Sequence, residues 1–174
     1  MNMDTKWYAL RVSYSREMKA KARLEEAGFE VFVPMVRKRV ARKDGTAFAP
    51  VPAVSNLLFV RTRWKAIEEW IRLQREEGFV HFMWDSMTRM PLVVRDKAME
   101  DFIKVCDSGE DILILDSLSP KLKAGAPVRV VNGPFSGVEG RVVRIRKSRR
   151  IVVELPGLLA VATTFIDPAD LEAL

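Results

Sequence analysis

The residue types that carry most enzyme chemistry are scarce in this sequence. The chain has one histidine, His81, and one cysteine, Cys106. No set of His, Cys, Asp and Glu shows the spacing of metal ligands, and neither a P-loop nor a G-x-G-x-x-G pattern occurs. The cysteine falls on the apolar face of a predicted helix, where a small core residue is the ordinary interpretation. The sequence therefore favours a binding protein over an enzyme and predicts no cofactor.

Lysine and arginine are the abundant functional groups, and their characteristic chemistry is contact with phosphate. The chain carries a formal net charge of +6 at pH 7. A basic chain suggests an anionic partner, and nucleic acid is the obvious one. The clustered cations are Arg37, Lys38, Arg39, Arg42, Lys43, Arg72, Arg75, Arg144, Arg146, Lys147, Arg149 and Arg150. A solvated basic face explains these residues equally well, so charge alone leaves both interpretations open.

Strand and helix patterns alternate through the first 106 residues and predict an α+β domain. Strand patterns occupy 6–12, 29–35, 57–60, 80–84 and 92–94. Ser15 and Thr62 are expected to cap the first two helices, and a third helix ends near Cys106. Pro34 lacks an N–H, so the second strand should lie at a sheet edge or leave the sheet there. The basic segment that follows should be a loop or a hairpin turning at Asp44-Gly45.

The C-terminal part, 121–174, has the pattern of β-strands joined by tight turns. Val128 to Gly140 reads VRVVNGPFSGVEG, and a second strand and a basic hairpin follow. Gly133 and Gly137 should allow tight turns, and Gly140 a close backbone approach or a bulge. Phe135 supplies a large apolar side chain that should cover the strands or face a partner. Many β-branched residues alternate with charges here, which favours strands over helices.

An acidic stretch, 107–120, separates the two parts and is predicted to be a linker. It contains Asp107, Glu110, Asp111 and Asp116 and no lysine or arginine. Its apolar run 112–115 is unusual for a free linker, and we expect this run to cover part of either domain. The domains are therefore expected at 1–106 and 121–174.

Three short motifs in the N-terminal part and the glycine pattern of the C-terminal part, taken in order along the chain, resemble the NusG family of transcription elongation factors. The matching features are W-Y at Trp7, F-V-P ending at Pro34, N-L-L-F-V from Asn56, and the C-terminal glycine pattern, which resembles the KOW motif. The resemblance covers nearly all of the chain. It implies an N-terminal NGN-like antiparallel sheet with packed helices and a C-terminal SH3-like KOW barrel. In detail the sequence is most similar to the UpxY paralogues, which are associated with capsular polysaccharide operons.

The resemblance also implies a binding surface for the β′ clamp helices of RNA polymerase. In the family this surface uses aromatic residues of the first strand and residues around the third strand. The matching positions here are Tyr8, Val54, Asn56, Leu57 and Phe59. The family's tyrosine is replaced by Leu57, which keeps the apolar contact and loses the hydroxyl. Tyr8 and Phe59 could instead fill the core.

Further partners follow from the same resemblance. Arg37, Lys38, Arg39, Arg42, Lys43, Arg72 and Arg75 would approach upstream or non-template DNA. Phe135, Arg144, Arg146, Lys147, Arg149 and Arg150 would form the partner surface of the KOW barrel, with nascent RNA as one ligand. Pro156 replaces the aromatic residue that helps general factors bind Rho or a ribosomal protein, so those two contacts are not expected.

These features predict a monomeric, cytoplasmic factor with no membrane partner. No apolar run approaches the length of a membrane span, no secretory signal opens the chain, and a single cysteine fits a reducing compartment. An operon-specific antitermination factor is the leading interpretation. The alternatives are a general housekeeping NusG factor and a KOW-containing, ribosome-associated RNA-binding protein.

Overall fold

The strand predicted at the start of the chain lies in the middle of the N-terminal sheet in the computed structural model, which describes residues 4–115 and 124–174. The sheet has five strands: β1 (Lys6–Val12), β2 (Glu30–Phe32), β5 (Leu57–Thr62), β6 (Val80–Phe82) and β7 (Val93–Val94). The order is β2-β5-β1-β6, with β7 also paired to β1, and these pairings are antiparallel. The predicted antiparallel sheet is confirmed.

Two helices, α1 (Glu17–Glu26) and α2 (Trp64–Leu73), pack on one face of this sheet. Leu24 of α1 and Ile67 of α2 join Leu10 and Leu58 of the central strands in one buried cluster. These side chains recur at helical and strand spacing, and burying them removes apolar surface from water.

The two predicted helix caps are wrong. The N-cap residues are Arg16 and Arg63, and neither makes a side-chain capping hydrogen bond. Ser15 adopts a positive φ of 51° one residue earlier, and Thr62 is the last residue of β5. A turn and a strand end therefore occupy the positions where the sequence pattern suggested capping hydroxyls.

The basic segment forms a hairpin, as expected, but its two-residue turn is Lys43-Asp44 rather than Asp44-Gly45. Strands β3 (Met35–Arg42) and β4 (Gly45–Pro52) pair along their whole lengths as a separate two-stranded sheet. The chain leaves the edge strand β2 at the point where Pro34 removes a ladder donor. The hairpin therefore places its cations outside the five-stranded sheet.

The second compact unit, Arg95–Leu174, contains a sheet of six strands. They are β8 (Leu113–Leu115), β9 (Pro127–Val130), β10 (Glu139–Ile145), β11 (Ser148–Leu155), β12 (Leu159–Phe165) and β13 (Leu171–Ala173). The order is β13-β9-β10-β11-β12-β8, and a short 3₁₀ helix, Pro168–Asp170, precedes β13. The described part of the C-terminal region is thus β-structured, as its β-branched residues predicted.

Helix α3 (Asp96–Cys106) packs against β11 and β12 of this second unit. Its Asp101 carboxylate accepts hydrogen bonds from Lys97 Nζ at 2.7 Å and from the backbone N–H of Glu139 at 3.1 Å. Lys97 Nζ also donates to the carbonyl of Gly137 at 2.8 Å. The boundary between the two compact units therefore follows Val94, whereas the first domain was predicted to end at Cys106.

Part of the expected linker is a strand. Ile114 of β8 pairs with Val161 of β12, so the apolar run covers the edge of the second sheet as anticipated. Residues 116–120 of the linker and the first three residues of the expected second domain lie outside the described residues.

The glycine pattern forms the turn between β9 and β10. Gly137 has a φ of 88° and donates to the carbonyl of Val130 at 2.8 Å. A Cβ on Gly140 would lie 2.4 Å from the carbonyl oxygen of Val152, so this glycine allows the predicted close approach. Phe135 is only 3% exposed, which makes it a core residue of the second unit.

Candidate functional site

Tyr8 is held in the sheet rather than presented on its surface. Its residue is buried, its ring centroid lies 5.8 Å from that of Trp64, and burial raises the pKa of its hydroxyl. It contributes to one wall of an apolar groove of about 680 Å³ that Trp64, Trp84 and Met90 also line. The Tyr8 side chain therefore forms part of the buried wall of this groove and is not an exposed contact residue.

Leu57 and Phe59 are buried in β5, on the face opposite Leu58 and Val60. Leu57 is 5% exposed and Phe59 is fully buried. Strand alternation places Leu57 and Leu58 on opposite faces of the sheet, and both are nevertheless buried. Phe59 is therefore a core residue here, and Leu57 offers a partner little apolar surface.

Asn56 and Val54, in the turn before β5, are partly exposed. Asn56 has a φ of 65°, which asparagine tolerates better than most residues. Its side-chain oxygen accepts the N–H of Ser15 at 3.1 Å, and its own N–H donates to the Glu17 carboxylate. Asn56 thus fixes the turn against the start of α1, and Val54 is the more accessible apolar residue of the predicted set.

The hairpin β3–β4 exposes all five of its predicted phosphate-binding cations, Arg37, Lys38, Arg39, Arg42 and Lys43. The guanidinium of Arg39 lies 5.8 Å from the ring centroid of Phe48, its cross-strand partner. That ring is 62% exposed. An exposed ring beside cations is the arrangement that binds unpaired nucleotides through stacking and phosphate contact.

Arg72 and Arg75 are exposed at the end of α2 and just after it. They line a groove of about 620 Å³ with Trp64, Phe82 and Trp84, and Glu68 and Glu69 line the same groove. Arg72 lies 3.8 Å from Glu69 in an exposed ion pair. Carboxylates on the same wall offset part of the positive charge, so these two arginines form a weaker phosphate site than the hairpin.

Sequence reasoning missed the loop between β6 and β7. Its Trp84 is 56% exposed, and Met87 and Met90 are exposed too. The rings of Phe82 and Trp84 pack against Trp64, with centroid distances of 4.6 and 6.5 Å. The signal in the sequence is a tryptophan and two methionines within one short polar segment, of which only Trp84 falls within the strand predicted at 80–84.

A second missed cluster surrounds Phe79. The charged groups of Arg16, Lys19 and Arg23 each lie 5.4 to 5.6 Å from its ring centroid. Arg23 is held by Glu77 through two hydrogen bonds, one of 2.9 Å, which lowers the pKa of the Glu77 carboxyl. The spacing of residues 16, 19 and 23, at the N-cap and along α1, could have revealed the three cations, but not Phe79, which lies just before β6.

The predicted partner residues of the second unit separate into two groups. Arg144, Arg146, Lys147 and Arg149 are exposed at the tip of the β10–β11 hairpin. Arg150 instead donates to the carbonyl of Thr163 at 2.8 Å and ties β11 to β12. Phe135 lies in the core, so neither Phe135 nor Arg150 belongs to an exposed partner surface in this conformation.

The two residues with the most reactive side chains have different settings. His81 is exposed in the middle of β6. Burial raises the pKa of the Cys106 thiol to about 12, and Asp107 adds to this effect. A thiol that stays protonated at neutral pH is a poor nucleophile and a poor metal ligand. Within 4–115 and 124–174, no group of three His, Cys, Asp or Glu could hold a metal ion.

Among the described residues, no helix is both long and apolar enough to cross a membrane. No curated protein matches the chain significantly. The sequence model of a family described as transcription termination factor NusG matches residues 5–103, which is more than half of the chain. Proteins of this family are transcription factors rather than enzymes, and they bind RNA polymerase. The matched segment contains the whole five-stranded sheet with α1 and α2, and the chain therefore belongs to the NusG family.

Proposed function

We propose that this NusG-family protein is an operon-specific transcription elongation and antitermination factor. It binds RNA polymerase through the N-terminal domain and suppresses pausing and termination in capsular polysaccharide operons. The observation that carries the proposal is the family match over 5–103, which coincides with the NGN-like sheet. The UpxY-like details of the sequence support the specialised role. Such a factor acts by favouring one polymerase conformation, without chemistry of its own.

The domains have separate roles in this proposal. The N-terminal domain, predicted at 1–106 and with its sheet within 6–94, binds the polymerase. The unit from Arg95 onward carries an SH3-like KOW domain, predicted at 121–174, that acts in the cytoplasm on the transcribing complex. The hairpin β3–β4 contacts upstream or non-template DNA through phosphates, because lysine and arginine on an exposed strand read charge rather than sequence. Pro156 is exposed where the family carries an aromatic residue, which supports weak Rho and ribosome contacts.

The polymerase surface is tested at Val54, the accessible apolar residue of the predicted set. Val54→Asp should weaken binding to a β′ clamp-helix fragment at least tenfold, since it places a charge in an apolar interface. Thr46→Asp is the matched control, because it adds the same charge at an exposed position of β4 outside the predicted polymerase surface. Titration of both variants, with circular dichroism to check folding, makes the comparison. Equal affinities for the two variants would remove Val54 from the interface.

The specialised role is separated from the housekeeping role by a deletion strain. Transcript profiling should show loss of distal expression in a few long operons, because a specialised factor acts on few transcripts. A global change in transcription, or lethality, would instead support the general NusG role. Loss confined to ribosome assembly would favour the ribosome-associated alternative.

A further inference from the structure

The tip of the β10–β11 hairpin concentrates positive charge more than folding requires. Arg144 and Arg149 are directly opposite each other in the register, and like charges in that position destabilise a sheet. Between them, Arg146 and Lys147 form the turn with φ values of 49° and 67°, a conformation that glycine or asparagine adopts more easily. Two unfavourable choices at one turn indicate selection for something other than stability.

No carboxylate neutralises these four cations among the residues that the structure describes. Arg129, in the neighbouring strand β9, shows the contrast. Its guanidinium nitrogens lie 2.7 Å from a carboxylate oxygen of Glu139 and 3.7 Å from one of Glu172, so its charge is neutralised by acids of the same sheet. The tip cations therefore remain available to an anionic ligand.

An exposed aromatic ring lies beside these cations. A groove of about 370 Å³ is lined by Arg144, Lys147, Ser148, Arg149, Phe165 and Pro168. Phe165, at the end of β12, is 58% exposed although the neighbouring residues of that strand are largely buried. No acidic residue lines the groove. The groove thus joins cationic groups to the face of one ring.

We propose that this groove binds a single-stranded polynucleotide. Arg144, Lys147 and Arg149 contact consecutive phosphates, and an unpaired base stacks on Phe165. Cations that follow a backbone beside an aromatic ring are the two components of sequence-tolerant single-strand binding. A base in a duplex is stacked and paired, so it cannot cover this ring. RNA and DNA both offer the phosphates and bases that this groove would bind. The identity of the natural strand, nascent RNA or unpaired DNA, rests on the transcription role proposed above.

The test uses the full-length protein and fluorescent 12-nucleotide oligo(U) and oligo(dT), with binding measured by anisotropy between 50 and 200 mM salt. Arg149→Gln should weaken binding several-fold and reduce the slope of log affinity against log salt by about 0.7, the contribution of one single-strand phosphate contact. Phe165→Ala should weaken it about tenfold through the lost stacking, and Phe165→Trp should retain it. Oligo(U) and oligo(dT) report whether RNA or DNA is preferred.

Arg141→Gln is the matched control. Arg141 is also exposed on β10 and loses the same charge, but it donates to the carbonyl of Gly125 at 2.8 Å, away from the tip. This variant should change affinity less than twofold. Equal losses for Arg149→Gln and Arg141→Gln would overturn the proposal. Unchanged binding in a folded Phe165→Ala variant would also overturn it. So would equally tight binding of polyglutamate, an anionic polymer without bases.

Failure of the single-strand site can be distinguished from failure of the polymerase proposal. The tip variants should leave the affinity for the β′ clamp-helix fragment unchanged, because the groove lies wholly within the second unit. A protein whose oligonucleotide binding falls in the Arg149→Gln and Phe165→Ala variants, and that ignores the clamp helices, would contradict the polymerase proposal and uphold this one. The opposite pattern would overturn the single-strand site alone.

Discussion

Replacing Leu57 with aspartate is expected to unfold the N-terminal sheet. Leu57 is 5% exposed in β5, a strand that pairs with both β1 and β2. A carboxylate there would be buried, and Arg11, the exposed cross-strand partner of Leu57, would offset only part of its desolvation, so the free energy of unfolding should fall by about 3 kcal/mol. A loss of that size is a large fraction of the stability of an ordinary domain. Urea denaturation followed by circular dichroism measures it.

Leu57→Met is the control for this substitution, because it conserves volume and should cost less than about 1.5 kcal/mol. The family resemblance alone predicts a different result for Leu57→Asp, namely a folded protein that has lost clamp-helix binding. A variant with an unchanged denaturation midpoint and lost clamp-helix affinity would therefore contradict the burial argument and return Leu57 to the polymerase surface.

Gly140→Ala is expected to destabilise the second unit by about 3 kcal/mol and to lower its melting temperature by roughly 15 °C. The new Cβ would lie 2.4 Å from the carbonyl oxygen of Val152 and 2.8 Å from Cγ2 of Ile151. A backbone oxygen cannot rotate away as a side chain can, so β10 and β11 must move apart. Thermal unfolding monitored by circular dichroism gives the shift.

Gly137→Ala separates this steric effect from simple loss of glycine. No atom lies within 4 Å of a Cβ at Gly137, but its φ of 88° is unfavourable for alanine. The expected cost is about 1 kcal/mol, from backbone strain alone. If the two alanine variants melt at the same temperature, close approach of β11 is not what requires Gly140.

The sequence predicted the elements better than their faces. Pro34, the glycine turn and the β-branched C-terminal strands each constrain the backbone locally, so their interpretation survives without knowledge of packing. The run Leu57–Val60 was read as an alternating strand, although four consecutive apolar residues are typical of a strand buried on both faces. All four are buried, which is why two residues predicted for the polymerase surface lie in the core.

Exposed sites were harder to predict because they join residues that are distant in sequence. Arg39 and Phe48 meet only because of the hairpin register, and Phe165 lies beside Arg149 only because β11 and β12 are neighbours in the second sheet. The basic segments themselves were visible as charge runs. Their aromatic neighbours were not, because a lone phenylalanine in a strand pattern is ordinarily read as core.

Helix α3 has a consequence for how this protein could exchange parts with its relatives. The family match extends through most of this helix to residue 103, yet the helix packs on β11 and β12. A chimaera joined after Cys106 would give the foreign C-terminal sheet an α3 whose buried Met99 and Phe102 come from a different packing environment. Joining after Val94 keeps the helix with its own sheet. Recombination within the family is therefore constrained by α3, because this helix lies within the segment that the family model matches but packs on the C-terminal sheet.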